Sequence, residues 1–235
     1  MKTFASITVI LSIFLIGLSG SAQAKTSFYY KDIPPSIDTS QKYIFFLHGL
    51  IVEKKGPHAE SKKYGRYEYY NILKAFSDRG FIVISEARRR GTDIQEYASK
   101  VADQIRTLMA AGVAPERITV IGYSRGATIT LRTSSILGEP KVNFVVLAGC
   151  GHGKYKKKYQ KRFEEFVKPI APDLRGRFLS IYDDSDKISG SCQKAFDLAP
   201  EGLEYDEKEL KTHLGHGLFF TPREDWLDIV VEWVK

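Results

Sequence analysis

Several things are scarce or missing in this chain, and each absence narrows what it can be. No internal repeat, low-complexity tract or linker interrupts its 235 residues, which argues against repeat arrays and multi-module chains and for one domain with one sizeable core. No nucleic-acid-binding motif is present, and basic residues cluster only at Arg88 to Arg90 and Lys154 to Lys158. The most apolar stretch, Phe4 to Leu18, falls short of the ~20 residues that span a bilayer. Cysteine occurs only twice, as Cys150 and Cys192. Neither lies near the N-terminus, so a lipid-anchored form is not expected.

That N-terminal stretch reads as a secretory signal peptide over residues 1–24. Lys2 supplies the charge, Phe4 to Leu18 the apolar region, and Ala22, Gln23, Ala24 the small-residue cleavage site. The mature domain is then residues 25–235, secreted or periplasmic, with no stable membrane insertion after processing. Its net charge is +6, one lysine fewer than the +7 of the full chain. A moderately basic balance suits anionic surfaces or substrates. In an oxidising compartment the two cysteines tend to pair.

From Tyr43 onward, short β-branched and aromatic runs alternate with segments of helical period. Strands are expected at Tyr43 to Leu47, Phe81 to Ser85, Ile118 to Ile121, Val142 to Ala148 and Phe178 to Tyr182, with a last one near Leu203 to His213. Their nearly continuous hydrophobicity suits strands covered on both faces of a parallel sheet. Helices are expected near Tyr67 to Asp78, Asp93 to Ala111, Arg125 to Leu137, Tyr159 to Phe166 and Pro222 to Val234, with Asp93 as a first-turn acid and Gly80, Gly112 and Gly138 as stops. The pattern is α/β with right-handed crossovers. Fewer than 30 residues separate the fourth and fifth strands, so any lid is small and the cleft open.

Between the third strand and its helix stand Gly122, Tyr123, Ser124, Arg125 and Gly126. A serine at the apex of a strand-turn-helix junction is lifted clear of the backbone, and flanking glycines relieve the crowding that a Cβ would cause. The pattern alone is weak, since composition supplies it in about one chain in ten of this length. Its neighbours give it weight. Phe45 to Gly49 looks like a strand followed by an HG turn, and Glu86 to Gly91 like an acid followed by an Arg-Gly stretch. Leu179 to Asp186 and Leu214 to Gly217 look like acid and histidine loops. In this order the features resemble the α/β-hydrolase family over nearly all of the mature chain. Two departures stand out: Asp183 replaces the glycine common in the acid loop, and the family's first two strands are missing.

The resemblance implies a single-domain fold with a mostly parallel sheet of about six strands, helices on both faces and a small lid or none. It implies Ser124 as nucleophile, His216 as base and Asp186 as orienting acid, with Asp183 and Asp184 as runners-up. His152 is the alternative base; His48 is expected to shape the oxyanion turn, and His58 and His213 to be loop and strand-end residues. The oxyanion donors would be the backbone amides of Leu50 and Arg125. Cys150 and Cys192 are expected to form a disulfide that braces the acid loop. No metal or organic cofactor is required. The expected partner is a small ester-like molecule, with a peptide, a thioester or acyl transfer as rivals, and a catalytically silent binding protein on the same scaffold as the rival from another class.

Two features stay open at this level. Arg88, Arg89 and Arg90 either hold an anionic substrate group or, the favoured reading, form a solvated run paired locally with Glu86 and Asp93. Tyr64, Tyr67, Tyr69 and Tyr70 either line the acyl pocket or pack a helix face.

Overall fold

The computed structural model describes residues 28–151 and 157–235. The expected leader (1–24), His152 and most of the Lys154 to Lys158 run therefore lie outside the described residues. Ten strands occur among them: β1 (Tyr43–Leu47), β2 (Glu60–Ser61), β3 (Gly65–Arg66), β4 (Ile82–Ile84), β5 (Ile118–Tyr123), β6 (Asn143–Leu147), β7 (Cys150–Gly151), β8 (Arg177–Asp183), β9 (Ser189–Gly190) and β10 (Glu204–Leu210). Seven helices accompany them: α1 (Leu50–Lys55), α2 (Tyr69–Asp78), α3 (Ile94–Ala110), α4 (Arg125–Leu137), α5 (Lys157–Val167), α6 (Gln193–Phe196) and α7 (Glu224–Trp233).

Six strands form the central sheet in the order β10-β8-β6-β5-β1-β4, and every pairing in it is parallel. Alternate residues of each inner strand feed opposite cores. Tyr43, Phe45, Phe144, Val146 and Phe178 pack with α3, α4 and α5. Ile44, Phe46, Val145, Leu147, Leu179 and Ile181 pack with α2 and α7. Helices thus cover both faces, which is why the strands read as unbroken apolar runs. At one edge β10 is charged and mostly exposed, a sequence that discourages pairing with another chain. At the other edge, in place of further strands among the described residues, Tyr30 makes a single bridge to β4.

Local sequence sets the helix ends. Asp93 is the cap of α3 rather than a first-turn acid; its carboxylate accepts the Glu96 N–H at 2.9 Å. Gly138 closes α4 with a left-handed φ of 71° and an N–H donated to the Ser134 carbonyl. None of the helices among the described residues is long and apolar enough to cross a membrane.

Candidate active site

The carboxyl ends of β1, β4, β5 and β8 converge on one edge of the sheet, where open α/β sheets bind ligands. Ser124 sits at the end of β5 with φ 54° and ψ −113°, a conformation that costs a non-glycine residue on the order of 1–3 kcal/mol. The neighbouring structure holds it there: its N–H donates to the Leu147 carbonyl at 2.9 Å, and its carbonyl accepts the Thr128 N–H at 3.2 Å. The flanking glycines are sterically required. A Cβ on Gly126 would overlap the Leu47 carbonyl, and one on Gly122 would overlap Thr130 Oγ1 and the Gly126 carbonyl.

His216 lies in the 3₁₀ turn Gly215–Phe220 that follows β10. Its Nε2 stands 2.9 Å from Ser124 Oγ and its Nδ1 2.7 Å from Asp186 Oδ2. Asp186 is buried, and its other oxygen accepts the Ile188 N–H at 2.8 Å, so the carboxylate is fixed from both sides. The Tyr123 hydroxyl donates to the His216 carbonyl at 2.7 Å; burial first, then neighbouring tyrosines and Asp186, keep this phenol neutral. The three aspartates of the loop therefore separate by task. Asp183 accepts the N–H groups of Ser185, Thr212 and Gly215 and the hydroxyls of Ser185 and Thr212, tying the acid loop to the histidine loop. Burial pushes its pKa up, but these bonds outweigh that and hold it below the usual carboxylate value. Asp184 Oδ1 is buried without a hydrogen-bond partner, and the carboxylate at His216 is that of Asp186.

The turn expected to supply amides also reaches the serine. A Cβ on Gly49 would lie 2.8 Å from the Tyr123 ring and 3.6 Å from Ser124 Cβ, so Leu50, the first residue of α1, starts its helix beside Ser124. The Leu50 and Arg125 amides, each at the first position of a helix, donate to no acceptor among the described residues.

Behind this turn lies a buried ionic cluster that the sequence reading missed. Arg88 is not solvated and pairs with neither Glu86 nor Asp93. Its side chain is fully buried, 3.1 Å from Glu53 of α1, while its guanidinium also donates to the His48 carbonyl. Glu53 reaches on to Arg125 at 3.1 Å, and Arg125 donates to the Thr92 carbonyl at 2.8 Å. His48 Nε2 accepts the Arg88 N–H at 2.8 Å, which places the ring proton on Nδ1, facing the Gly49 carbonyl at 2.9 Å. Burial first, and the Arg88 charge second, hold the His48 pKa well below its ordinary value, so the ring is neutral. The Arg run hid this because the partner carboxylate lies 35 residues away in sequence. Arg89 and Arg90 remain exposed, and Glu86 pairs instead with Lys100 at 2.6 Å.

The tyrosine cluster divides in the same way. Tyr67 and Tyr69 are core residues, and Tyr64 packs on the histidine turn, where a Cβ on Gly217 would strike its ring. The cavity at Ser124 is built elsewhere, by α4, α5 and the segments around β7 and β9, and holds about 270 Å³. His58 and His213 are exposed loop residues. Cys150 and Cys192 form a disulfide that joins β7 to the chain beyond Asp186, and β7 pairs with β9 across the same junction.

Comparisons with known proteins agree with this architecture. A family model described as phospholipase/carboxylesterase matches residues 76–165, which include the serine turn. A search of curated proteins finds no match. Among solved structures, esterase B from Lactobacillus rhamnosis has a TM-score of 0.57 at 13% identity, covering 86% of this chain and 76% of that one. A truncated carbohydrate esterase from gut microbiota has a TM-score of 0.55 at 16% identity, covering 86% and 88%. A 2,6-dihydroxy-pseudo-oxynicotine hydrolase has a TM-score of 0.51 at 18% identity; 86% of this chain is covered, but the chain spans only 61% of that protein. The match to the family model covers less than half of the chain, and the likeness to these structures shows the fold: a single-domain α/β-hydrolase fold.

Proposed function

We propose that this α/β-hydrolase is a serine esterase acting on carboxylic esters with small to medium acyl groups, through an acyl-enzyme intermediate. The observation that carries the reading is the continuous line from Asp186 through His216 to Ser124, at 2.7 and 2.9 Å, ending on a serine held at positive φ. His216 takes the hydroxyl proton as Ser124 attacks the carbonyl carbon, and Asp186 stabilises the imidazolium that forms. The carbonyl oxygen becomes an oxyanion held by the Leu50 and Arg125 amides, each such donor contributing about 3 kcal/mol of barrier lowering. Collapse expels the alcohol, protonated by His216. Water, activated by the same imidazole, then releases the acid. No step calls on a metal or organic cofactor. The Cys150–Cys192 disulfide supports an oxidising compartment, in keeping with the secretory leader read from the sequence.

A serine-directed fluorophosphonate probe tests the assignment. A single adduct on the folded protein, absent from Ser124→Ala and strongly slowed in His216→Ala, is the expected result. No adduct, or one equally strong in Ser124→Ala, refutes it.

A further inference from the structure

The cavity beside Ser124 has a lining that acyl transfer itself does not require. Ile94, Phe163, Phe166 and Ile188 give it apolar walls, Arg125 and Arg162 supply guanidinium groups, and no carboxylate of the described residues lines it. Arg162 is exposed on α5 and makes no ion pair among the described residues. Arg125 shares Glu53 with Arg88, so one carboxylate serves two guanidiniums. His48 is neutral and adds nothing to either side. Arg88 Nη1 is buried without a hydrogen-bond partner. Three guanidiniums against the one carboxylate of Glu53 leave an excess of about two positive charges, and the two guanidiniums that reach the cavity, Arg125 and Arg162, are placed to form charge-assisted bonds with an anion there.

Resting on the serine-esterase reading, we propose that the ester bears an anionic group, a carboxylate on a short apolar body. That body fills the cavity, with its anion held between Arg125 and Arg162. A guanidinium and a carboxylate form charge-assisted, often bidentate bonds, so a neutral isostere loses binding while the apolar contacts remain. An excess charge serving only the oxyanion would favour charged and neutral esters alike, which separates the two roles.

The test uses matched chromogenic pairs. One pair places the anion on the acyl side, p-nitrophenyl hemiglutarate against p-nitrophenyl valerate; the other places it on the alcohol side, 4-butyryloxybenzoate against its amide. In at least one pair the anionic member is expected to be favoured in kcat/KM by about tenfold or more at low ionic strength. That ratio should shrink as salt rises, collapse in Arg162→Gln through KM, and be largely kept in Arg162→Lys. Ratios near one in both pairs, or a ratio unmoved in Arg162→Gln, overturn the inference while leaving ester hydrolysis standing. If no ester is hydrolysed, the esterase reading fails, and calorimetry with 4-phenylbutyrate against 4-phenylbutanamide decides the anion site alone. Binding of the acid only, lost in Arg162→Gln, supports it, and equal or absent binding of both overturns it.

Discussion

Replacing Glu53 by alanine removes the carboxylate that, among the described residues, pairs with both Arg88 and Arg125. The side chain of Arg88 is fully buried and that of Glu53 is 1% exposed, so water does not replace the lost partner. Breaking a buried pair in this way costs about 3–5 kcal/mol. Arg125, 30% exposed at its side chain, is partly screened and adds less. For a domain of this size the loss corresponds to a fall of roughly 6–20 °C in melting temperature. Urea denaturation should show the midpoint dropping with an unchanged slope. A second variant, Glu53→Met with Arg88→Met, removes both charges and should recover most of the stability, because an apolar pair of similar volume is close to neutral. It should still react slowly with the fluorophosphonate. Arg88 fixes the carbonyl of His48, two residues before the Leu50 amide proposed as an oxyanion donor, and misplacing one such donor costs about 10²–10³ in rate. A Glu53→Ala protein within about 1 kcal/mol of wild type, or a double variant no more stable than the single, would refute this account of the cluster.

Other consequences follow from the same geometry. His48 is neutral when folded and takes up a proton near its ordinary value of 6.5 when unfolded. Stability should therefore fall below that pH by up to about 1.4 kcal/mol per unit, a slope that His48→Gln flattens in urea titrations from pH 7 to 5. Asp183 has a lowered pKa, so its contribution persists above the ordinary carboxylate value of 3.8 and disappears only under stronger acid. The disulfide closes a loop of 42 residues, so Cys150→Ser with Cys192→Ser should lose about 4 kcal/mol in reversible denaturation.

Much of this architecture is legible from local pattern, because strands buried on both faces announce themselves as apolar runs. The bounds read for β1 and α4 coincide with those observed, and the glycine stops fall within two residues of their helix ends. The serine turn is legible because its steric demands are met within five residues. What escaped depends on distant partners. The helix α1 is six residues long and lacks a side-chain cap, so nothing local marks it. The burial of Arg88 depends on Glu53, 35 residues earlier, and a run of three arginines conceals that only one turns inward. Asp183 and Asp186 look alike in sequence, and they separate only once the histidine turn brings its amides to one and its imidazole to the other. The apolar walls come from α5 and the crossover after β8, which no motif marks.

The proposed esterase chemistry turns on a covalent bond at Ser124. Rapid acid quench of wild type with p-nitrophenyl butyrate, followed by intact-mass and peptide mass spectrometry, measures it directly. The expected result is a transient gain of one butyryl group on the peptide containing Ser124 during the first turnovers, strongly reduced in His216→Ala and absent from Ser124→Ala. Turnover of the ester with no acyl mass on that peptide, or with the mass on another residue, would contradict it.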